Sequence, residues 1–399
     1  YYTTFRESIL MIIEIVGKFY DNHSLTIINR NIALILNEDE KIDLYITPLD
    51  DYNPDANLPK QIVKKLKELS AKSIDENSYP EVQIRHAYPP VWQWPLKAQT
   101  KVVYIQPWEY PKLPFEWQYK WETFADHVIV PSNYIRDIAI RAGLNPNDIT
   151  VVPNGYNEKL FNKEEPKSLP YGIDSDKFNF VYVGNSQWRK GLDLLINAWH
   201  KCFKSYDNAR LIIKDNPAIY GKNSVLNEIV KMQYKTGCAP VTYIDDNVSD
   251  ETMADIFKAS KVVVHPYRAE GFGMHIQEAV ACGCVPILPD TGPHQDFIPE
   301  EIGIRIQTNQ KAIDISSSEI FAQKPGDAFT MMSSHTIINE PNGQHLEKAL
   351  QWMYHSHDKK DKFEQVKNLE LNNTWENVVK QYVEVLLNVG NTDKPRRIR

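Results

Sequence analysis

The chain has few cysteines, no long apolar run and no excess of positive charge, and each lack narrows what it can be. Four cysteines in 399 residues, none in a Cys-x-x-Cys pair, do not build a disulfide framework. They read as reduced thiols, which suits a cytoplasmic chain. Cys282 and Cys284, on either side of Gly283, read as small packing residues. No His or Cys ligands stand at zinc-finger spacing. No stretch reaches the roughly 18 apolar residues of a membrane helix. Ile9 to Val16 is too short, carries Glu14, and lacks the basic flank and cleavage site of a signal peptide. A formal net charge of -7 argues against a nucleic-acid partner, which needs a basic footprint. The first strand lacks GxGxxG, and there is no GxxxxGK[ST], GxSxG or HExxH anywhere. Those gaps exclude dinucleotide oxidoreductase, P-loop ATPase, serine-hydrolase and zincin chemistry.

What is present is an ordinary globular composition, 42% hydrophobic and 24% charged. The length favours two domains, because single cores stop growing near about 250–300 residues. Apolar strands alternate with helices from end to end. In the first half the strands are Met11 to Gly17, Val102 to Ile105, His127 to Val130 and Ile149 to Val152. Helices follow Ser24, span Lys60–Lys72, and run from Ser132 to Ala142, with Gly143 past the end. The second half has strands Phe180 to Gly184, Ala209 to Ile213, Val241 to Ile244, Lys261 to His265 and Val285 to Leu288. Asn162 to Asp176, with Pro166, Pro170 and Gly172, reads as a linker. Short apolar strands between helices mean parallel sheets covered on both faces. The expectation is an α/β chain with two doubly wound domains, 1–165 and 166–372, facing across a cleft. Residues 373–399 form a terminal helix that crosses back to the first domain, with a fraying basic tail, KPRRIR. Tyr1 to Ser8 takes no part in the expected fold.

Ligands of such sheets bind beyond the carboxyl ends of the strands, and three strand-to-helix loops stand out. Gly184 to Gly191 puts Arg189 and Lys190 beside a helix start, which suits a diphosphate, or is simply a solvated basic turn. Glu270 to Gly283 carries Gly271 and Gly273 and then opens a helix near Met274. Glu270 and Glu278 can grip the hydroxyls of one ligand at two points, although a single Glu there would also compensate a helix dipole. Ile105 to Trp117 holds Trp108, Tyr110, Phe115 and Trp117 among prolines. These aromatics line a carbohydrate pocket or an ordinary core. Glu109 is the one acid amid them and would serve as a base if burial raised its pKa. Ile84 to Trp94 adds His86, a lone histidine more typical of structure than of catalysis.

EGFGMHIQEAVACG, with seven residues between Glu270 and Glu278, resembles the E-x7-E signature of the retaining glycosyltransferases of family 4, which have the GT-B fold. VPSNYIRD, VVPNGYN, FVYVGNSQWRKGLDLLINAW and CGCVPILPDTGPHQDFI resemble flanking segments of that family in order. The resemblance implies an acceptor-side first domain and a nucleotide-sugar-binding second domain, both Rossmann-like. It implies that Lys190 binds the donor diphosphate, that Glu278 holds the ribose and that Glu270 faces the donor sugar. The turn Gly271, Phe272, Gly273, Met274 and His275 cradles sugar and phosphate. Gly17 matches the small residue of the first N-terminal loop, and Asn247 lies where the base is held. Two positions depart from the family: Asn185 stands in place of an arginine that Arg189 can replace, and Gln106 in place of a histidine. Gln307 to Glu340 matches poorly.

The expected activity is transfer of a sugar from a UDP- or GDP-sugar to a hydroxyl of a glycan, lipid-linked or protein-linked acceptor, with retention. The resemblance implies no metal and no cofactor beyond the donor, the leaving diphosphate being held by Arg/Lys and a helix N-terminus. Glu109 is the candidate helper at the acceptor. The alternatives are a non-catalytic sugar-nucleotide or glycan-binding module, and a nucleotide-sugar epimerase or phosphorylase of similar architecture. The lysines of the Lys60–Lys72 helix can dock on anionic lipid, which would put the chain at the periphery of a membrane. A solvated surface helix is the competing reading.

Overall fold

The computed structural model describes residues 10–56, 58–114, 116–216, 229, 237–314 and 335–391. Tyr1 to Ser8, Phe115 and the KPRRIR tail lie outside the described residues. The chain forms two compact units. One comprises residues 1–107, 113–155 and 373–399, and the other 108–112 and 156–372.

The first unit is built on a parallel six-stranded sheet of order β2-β1-β3-β4-β5-β6. The strands are β1 (Met11–Gly17), β2 (Ile42–Pro48), β3 (Val82–His86), β4 (Lys101–Ile105), β5 (His127–Val130) and β6 (Ile149–Val151). The helices are α1 (Ser24–Leu36), α2 (Lys60–Ala71), α3 (Trp117–Phe124) and α4 (Asn133–Arg141). Ser132 caps α4, its Oγ accepting from Ile135 N at 3.3 Å, and Gly143 leaves it at φ 104°. β2 and β3 went unnamed in the sequence. IDLYITP carries a proline and VQIRH a buried arginine and histidine, which break up the apolar run that marks the other strands. Helix α2 buries Val63, Leu66 and Leu69 and leaves Lys60, Lys64 and Lys67 exposed.

The second unit also has a parallel six-stranded sheet, of order β12-β11-β10-β7-β8-β9. Its strands are β7 (Phe178–Val183), β8 (Ala209–Lys214), β9 (Val241–Ile244), β10 (Val262–Val264), β11 (Val285–Pro289) and β12 (Ile304–Ile306). An antiparallel hairpin, β13 (Thr308–Asp314) with β14 (His335–Pro341), occupies the described ends of the stretch 307–340 that the sequence reading set apart from the family. The helices are α5 (Leu192–Cys202), α6 (Asp250–Lys258), α7 (Met274–Ala281), α8 (Gly343–His355) and α9 (Lys359–Asn368). Helix α10 (Trp375–Gly390) belongs to the first unit and buries Val378, Val379, Tyr382 and Leu386 there.

The segment read as a linker is instead part of the second unit. Phe161 and Ile173 are buried in its core. Asp255 of α6 accepts from the backbone N–H of Lys167 at 2.8 Å and of Ser168 at 3.0 Å. Prolines and charges gave the segment a linker's composition, yet Ile173 is buried in the core and the Lys167 and Ser168 backbone donors are held by Asp255. Among the described residues no helix is long and apolar enough to cross a membrane.

Candidate functional site

In the second sheet the strand order reverses between β7 and β10, and such reversals open the crevice where doubly wound sheets bind ligands. Two of the loops singled out in the sequence leave the sheet there. In the first, Gly184 is closely packed: a β-carbon would stand 3.2 Å from His265 Nε2 and the Tyr182 hydroxyl. The turn comes at Gly191, with φ 73°, after a 3-10 turn over Trp188–Lys190. Asn185 is buried; its Oδ1 accepts from Gln187 N at 3.2 Å and its carbonyl from the Tyr182 hydroxyl at 3.1 Å. The residue that departs from the family thus braces the turn.

The two loops meet in a buried ionic cluster. Lys190 Nζ donates to Glu270 Oε2, and Arg189 Nη1 lies 3.9 Å from the same oxygen. Arg189 Nη2 is 2.8 Å from Glu109 Oε1, and Glu270 Oε1 accepts from Gly271 N at 3.1 Å. Lys190 and Glu270 are almost wholly buried. Burial alone would raise the Glu270 carboxyl, but Lys190 and Arg189 hold it well below the usual carboxylate range. Burial lowers the Lys190 ammonium, with Glu270 opposing.

Gly271 has no room for a side chain: a β-carbon would come 2.7 Å from the carbonyl oxygen of Trp108. Its smallness therefore admits this unit's own backbone. Gly273 caps α7 in the left-handed region, φ 88°, and no side chain caps the helix. Ile276 N–H turns back to the Gly273 carbonyl at 2.9 Å, which leaves the N–H groups of Met274 and His275 for a ligand. Phe272 is buried against Phe297, ring centroids 5.0 Å apart. Met274 and His275 form the partly exposed first turn. His275 stands 4.3 Å, centroid to centroid, from His265, which stacks on Tyr182 at 4.9 Å. Burial pushes the His275 imidazole down to about 3 and His265 well below its usual value. Both are neutral at pH 7.

Glu278, one turn into α7, is partly exposed, and among the described residues it has no salt bridge. Burial pushes its carboxyl well above the carboxylate range, and Asp250 adds to the shift. A carboxyl of this kind takes hydroxyl groups readily, because as an acid it donates and as an anion it accepts. Asn247 is exposed in the loop between β9 and α6.

Trp108, Tyr110 and Trp117 are buried, Trp108 Nε1 donating to Lys112 O at 2.9 Å. Of the two readings of these aromatics, the structure takes the core. Gly17 lies in the first unit, at the corresponding reversal between β1 and β3, paired in register with His86. A β-carbon on Gly17 would meet His86 O at 2.6 Å. His86 Nδ1 is 2.7 Å from Asn29 Oδ1, while Nε2 is buried with no partner among the described residues, and burial lowers the imidazole to about 3.

The sequence reading missed Arg268. Its guanidinium reaches Asp193 with two bonds of 2.8 Å and Glu340 at 2.9 Å. Nothing in the sequence signals this, since its partners lie 75 and 72 positions away. Among the described residues no cluster of three His, Cys, Asp or Glu is placed to hold a metal ion.

Two family profiles match in succession: Glycosyltransferase Family 4 over residues 73–160 and Glycosyl transferases group 1 over residues 163–318. The gpi3 subunit of the phosphatidylinositol N-acetylglucosaminyltransferase of Schizosaccharomyces pombe is 24% identical over 178 residues, covering 44% of this chain and 37% of that protein. The D-inositol 3-phosphate glycosyltransferase of Rhodococcus erythropolis is 28% identical over 156 residues, covering 38% of this chain and 35% of that one. The matches span less than half the length of these curated relatives. Anabaena HepE in complex with UDP-glucose superposes with a TM-score of 0.61 at 14% identity, covering 95% of this chain and all of that one. The chain belongs to the family 4 glycosyltransferases and has their GT-B fold.

Proposed function

We propose that the chain transfers a sugar from a nucleoside diphosphate sugar to a hydroxyl acceptor, with retention of the anomeric configuration. The observation that carries this reading is the buried cluster of Arg189, Lys190 and Glu270 beside the uncapped start of α7. Two cations and free N–H groups suit a leaving diphosphate, and in a dry site they need no reorganisation. Glu270 then faces the sugar, Glu278 takes the ribose hydroxyls, Gly271 to His275 line the donor and Asn247 reaches the base. Glu109, held by Arg189, assists at the acceptor. The cations take the place of a metal, so transfer proceeds without one.

Relatives named for transfer to phosphatidylinositol and to inositol 3-phosphate favour an inositol-containing acceptor, lipid-linked or soluble, over a protein glycan. UDP-glucose in the Anabaena neighbour favours a UDP-sugar donor over a GDP-sugar. The exposed lysines of α2 suit a peripheral contact with anionic lipid, and the four free cysteines suit a cytoplasmic location. Co-sedimentation with anionic liposomes at low salt tests the membrane contact.

A thermal-shift screen of UDP- and GDP-sugars tests the site, since a ligand bound only by the native state stabilises it. One nucleotide sugar raises the melting temperature, and Lys190→Ala and Glu278→Ala each abolish that rise. Wild-type responses in both variants would sink the assignment. Binding with no release of free UDP or GDP, with or without acceptor, would make the chain a binding module. An epimerised donor or a sugar phosphate would make it an epimerase or a phosphorylase.

A further inference from the structure

The two cations of the cluster sit on a short 3-10 turn, which has little stiffness of its own. What fixes that turn is Arg268, which is 3% exposed. Its Nη1 donates to the carbonyl of Trp188 at 2.6 Å, and its guanidinium lies over the Trp188 ring, 4.1 Å from the centroid. Its backbone N–H donates to the carbonyl of Arg189 at 2.7 Å. Three contacts thus hold the two residues that precede Lys190.

Arg268 is itself held from two directions. Asp193, in the first turn of α5, takes Nη1 and Nη2 at 2.8 Å each. Glu340, on β14, takes Nε at 2.9 Å, and Asn339 N donates to the carbonyl of Arg268 at 3.1 Å. Every nitrogen of the guanidinium is engaged, and two carboxylates face one cation, so this group is not a second anion site. It is a joint between helix, turn and hairpin. Lysine cannot make it, because a point charge has no planar fork for a carboxylate and no flat face for an indole.

We infer that Arg268 is a positioning residue for the Arg189–Lys190 pair, and that the β13–β14 hairpin sets its place through Glu340 and Asn339. This rests on the reading of that pair as ligands of the donor diphosphate. β14 lies beyond residue 318, where the match to the family profile ends, so here a segment outside that match governs how tightly the diphosphate is held.

The test is calorimetric titration of UDP, GDP and the corresponding nucleosides into the whole chain. Wild type, Arg268→Ala, Arg268→Lys and Glu340→Gln are compared, with melting curves to show that each is folded. For the diphosphate that wild type binds, Arg268→Ala raises Kd tenfold or more, Arg268→Lys recovers less than half of that loss on a logarithmic scale, and Glu340→Gln raises Kd about threefold. Nucleoside affinity changes less than twofold, which a general loosening of the unit would not spare. Wild-type diphosphate affinity in a folded Arg268→Ala overturns the inference, as do equal losses for diphosphate and nucleoside. If Arg268→Ala does not fold, Glu340→Gln decides alone, and unchanged affinity there overturns it. If wild type binds neither diphosphate, the proposed function fails and this inference with it. If wild type binds and the variants bind equally well, only this inference fails.

Discussion

Gly191 lies directly under the carbonyl of Pro266: a β-carbon there would overlap the oxygen and stand 2.7 Å from the carbonyl carbon. The same glycine holds φ 73° at the start of α5. One position therefore joins a left-handed turn to close contact between the loops that carry Lys190 and Glu270. Gly191→Ala suffers both the left-handed backbone and the overlap, and is expected to cost at least about 2 kcal/mol. Urea unfolding measures the loss, and it should come with weaker nucleotide binding in the fraction still folded. A cost below 0.5 kcal/mol would mean the loops separate easily.

The Lys190–Glu270 pair invites a double-mutant cycle. Removing one member of a buried pair strands the other's charge, at about 3–5 kcal/mol. Arg189, 3.9 Å from Glu270, offsets part of that for Lys190→Met. The lower end, about 3 kcal/mol, is expected for Lys190→Met, and a smaller loss for the double variant with Glu270→Gln. The coupling should exceed about 1 kcal/mol. Additive losses would show that the pair is not an energetic unit.

Much of this arrangement was legible in the sequence because it is local. Strand apolarity, the Ser132 cap and the Gly273–Met274 helix start all lie within a few residues of their cause. The fold class followed from the alternation of strands and helices, and the cations and glutamates from their loops. What was hidden depends on distant partners. Arg268 looks like any loop arginine until Asp193 and Glu340 arrive from α5 and the hairpin. The segment 162–176 has a linker's prolines but a core's Phe161 nearby and Ile173 within it. Gly271 reads in the sequence as part of the donor-cradling turn, but what bars a side chain there is the carbonyl of Trp108. Local pattern cannot tell which neighbour a glycine admits.

Acid should destabilise the native state through its buried histidines before the ordinary carboxylates titrate. Glu278, raised well above its usual value, adds stability as pH falls and offsets part of that loss in the second unit. Burial lowers His86, His275 and His294 to about 3, and His265 well below its usual value, from 6.5 when free. As pH falls below 6.5 the unfolded chain takes these protons and the native chain does not, so stability is complete above that value and declines below it. Each histidine contributes up to about 1.4 kcal/mol per pH unit over that window. Glu270, also depressed, adds its loss only below 4.5. Three of the four histidines are in the second unit, so that unit should lose stability faster between pH 7 and 5. Hydrogen exchange by unit across that range measures this. Equal or flat profiles would contradict neutral buried imidazoles.

The terminal helix α10 depends on the absence of a side chain at Gly155. A β-carbon there would fall 2.5 Å from Cε3 of Trp375 and 2.8 Å from its Cα. Trp375 is the first residue of α10 and is buried, and Thr374 caps the helix, its Oγ1 accepting from Asn377 N at 3.3 Å. An indole in a filled site cannot swing aside, and overlap with its Cα involves the backbone itself. Gly155→Ala must therefore push the start of α10 outward, at about 1–3 kcal/mol for overpacking. Cleavage near 369–374 by a protease at low dose should quicken, while nucleotide-induced stabilisation of the second unit persists. Gly343 supplies the control, for nothing lies within 4 Å of a β-carbon there, at the first position of α8. Gly343→Ala should be neutral or stabilise by up to about 1 kcal/mol through the unfolded chain. If the two alanines behave alike, contact with Trp375 is not what restricts position 155.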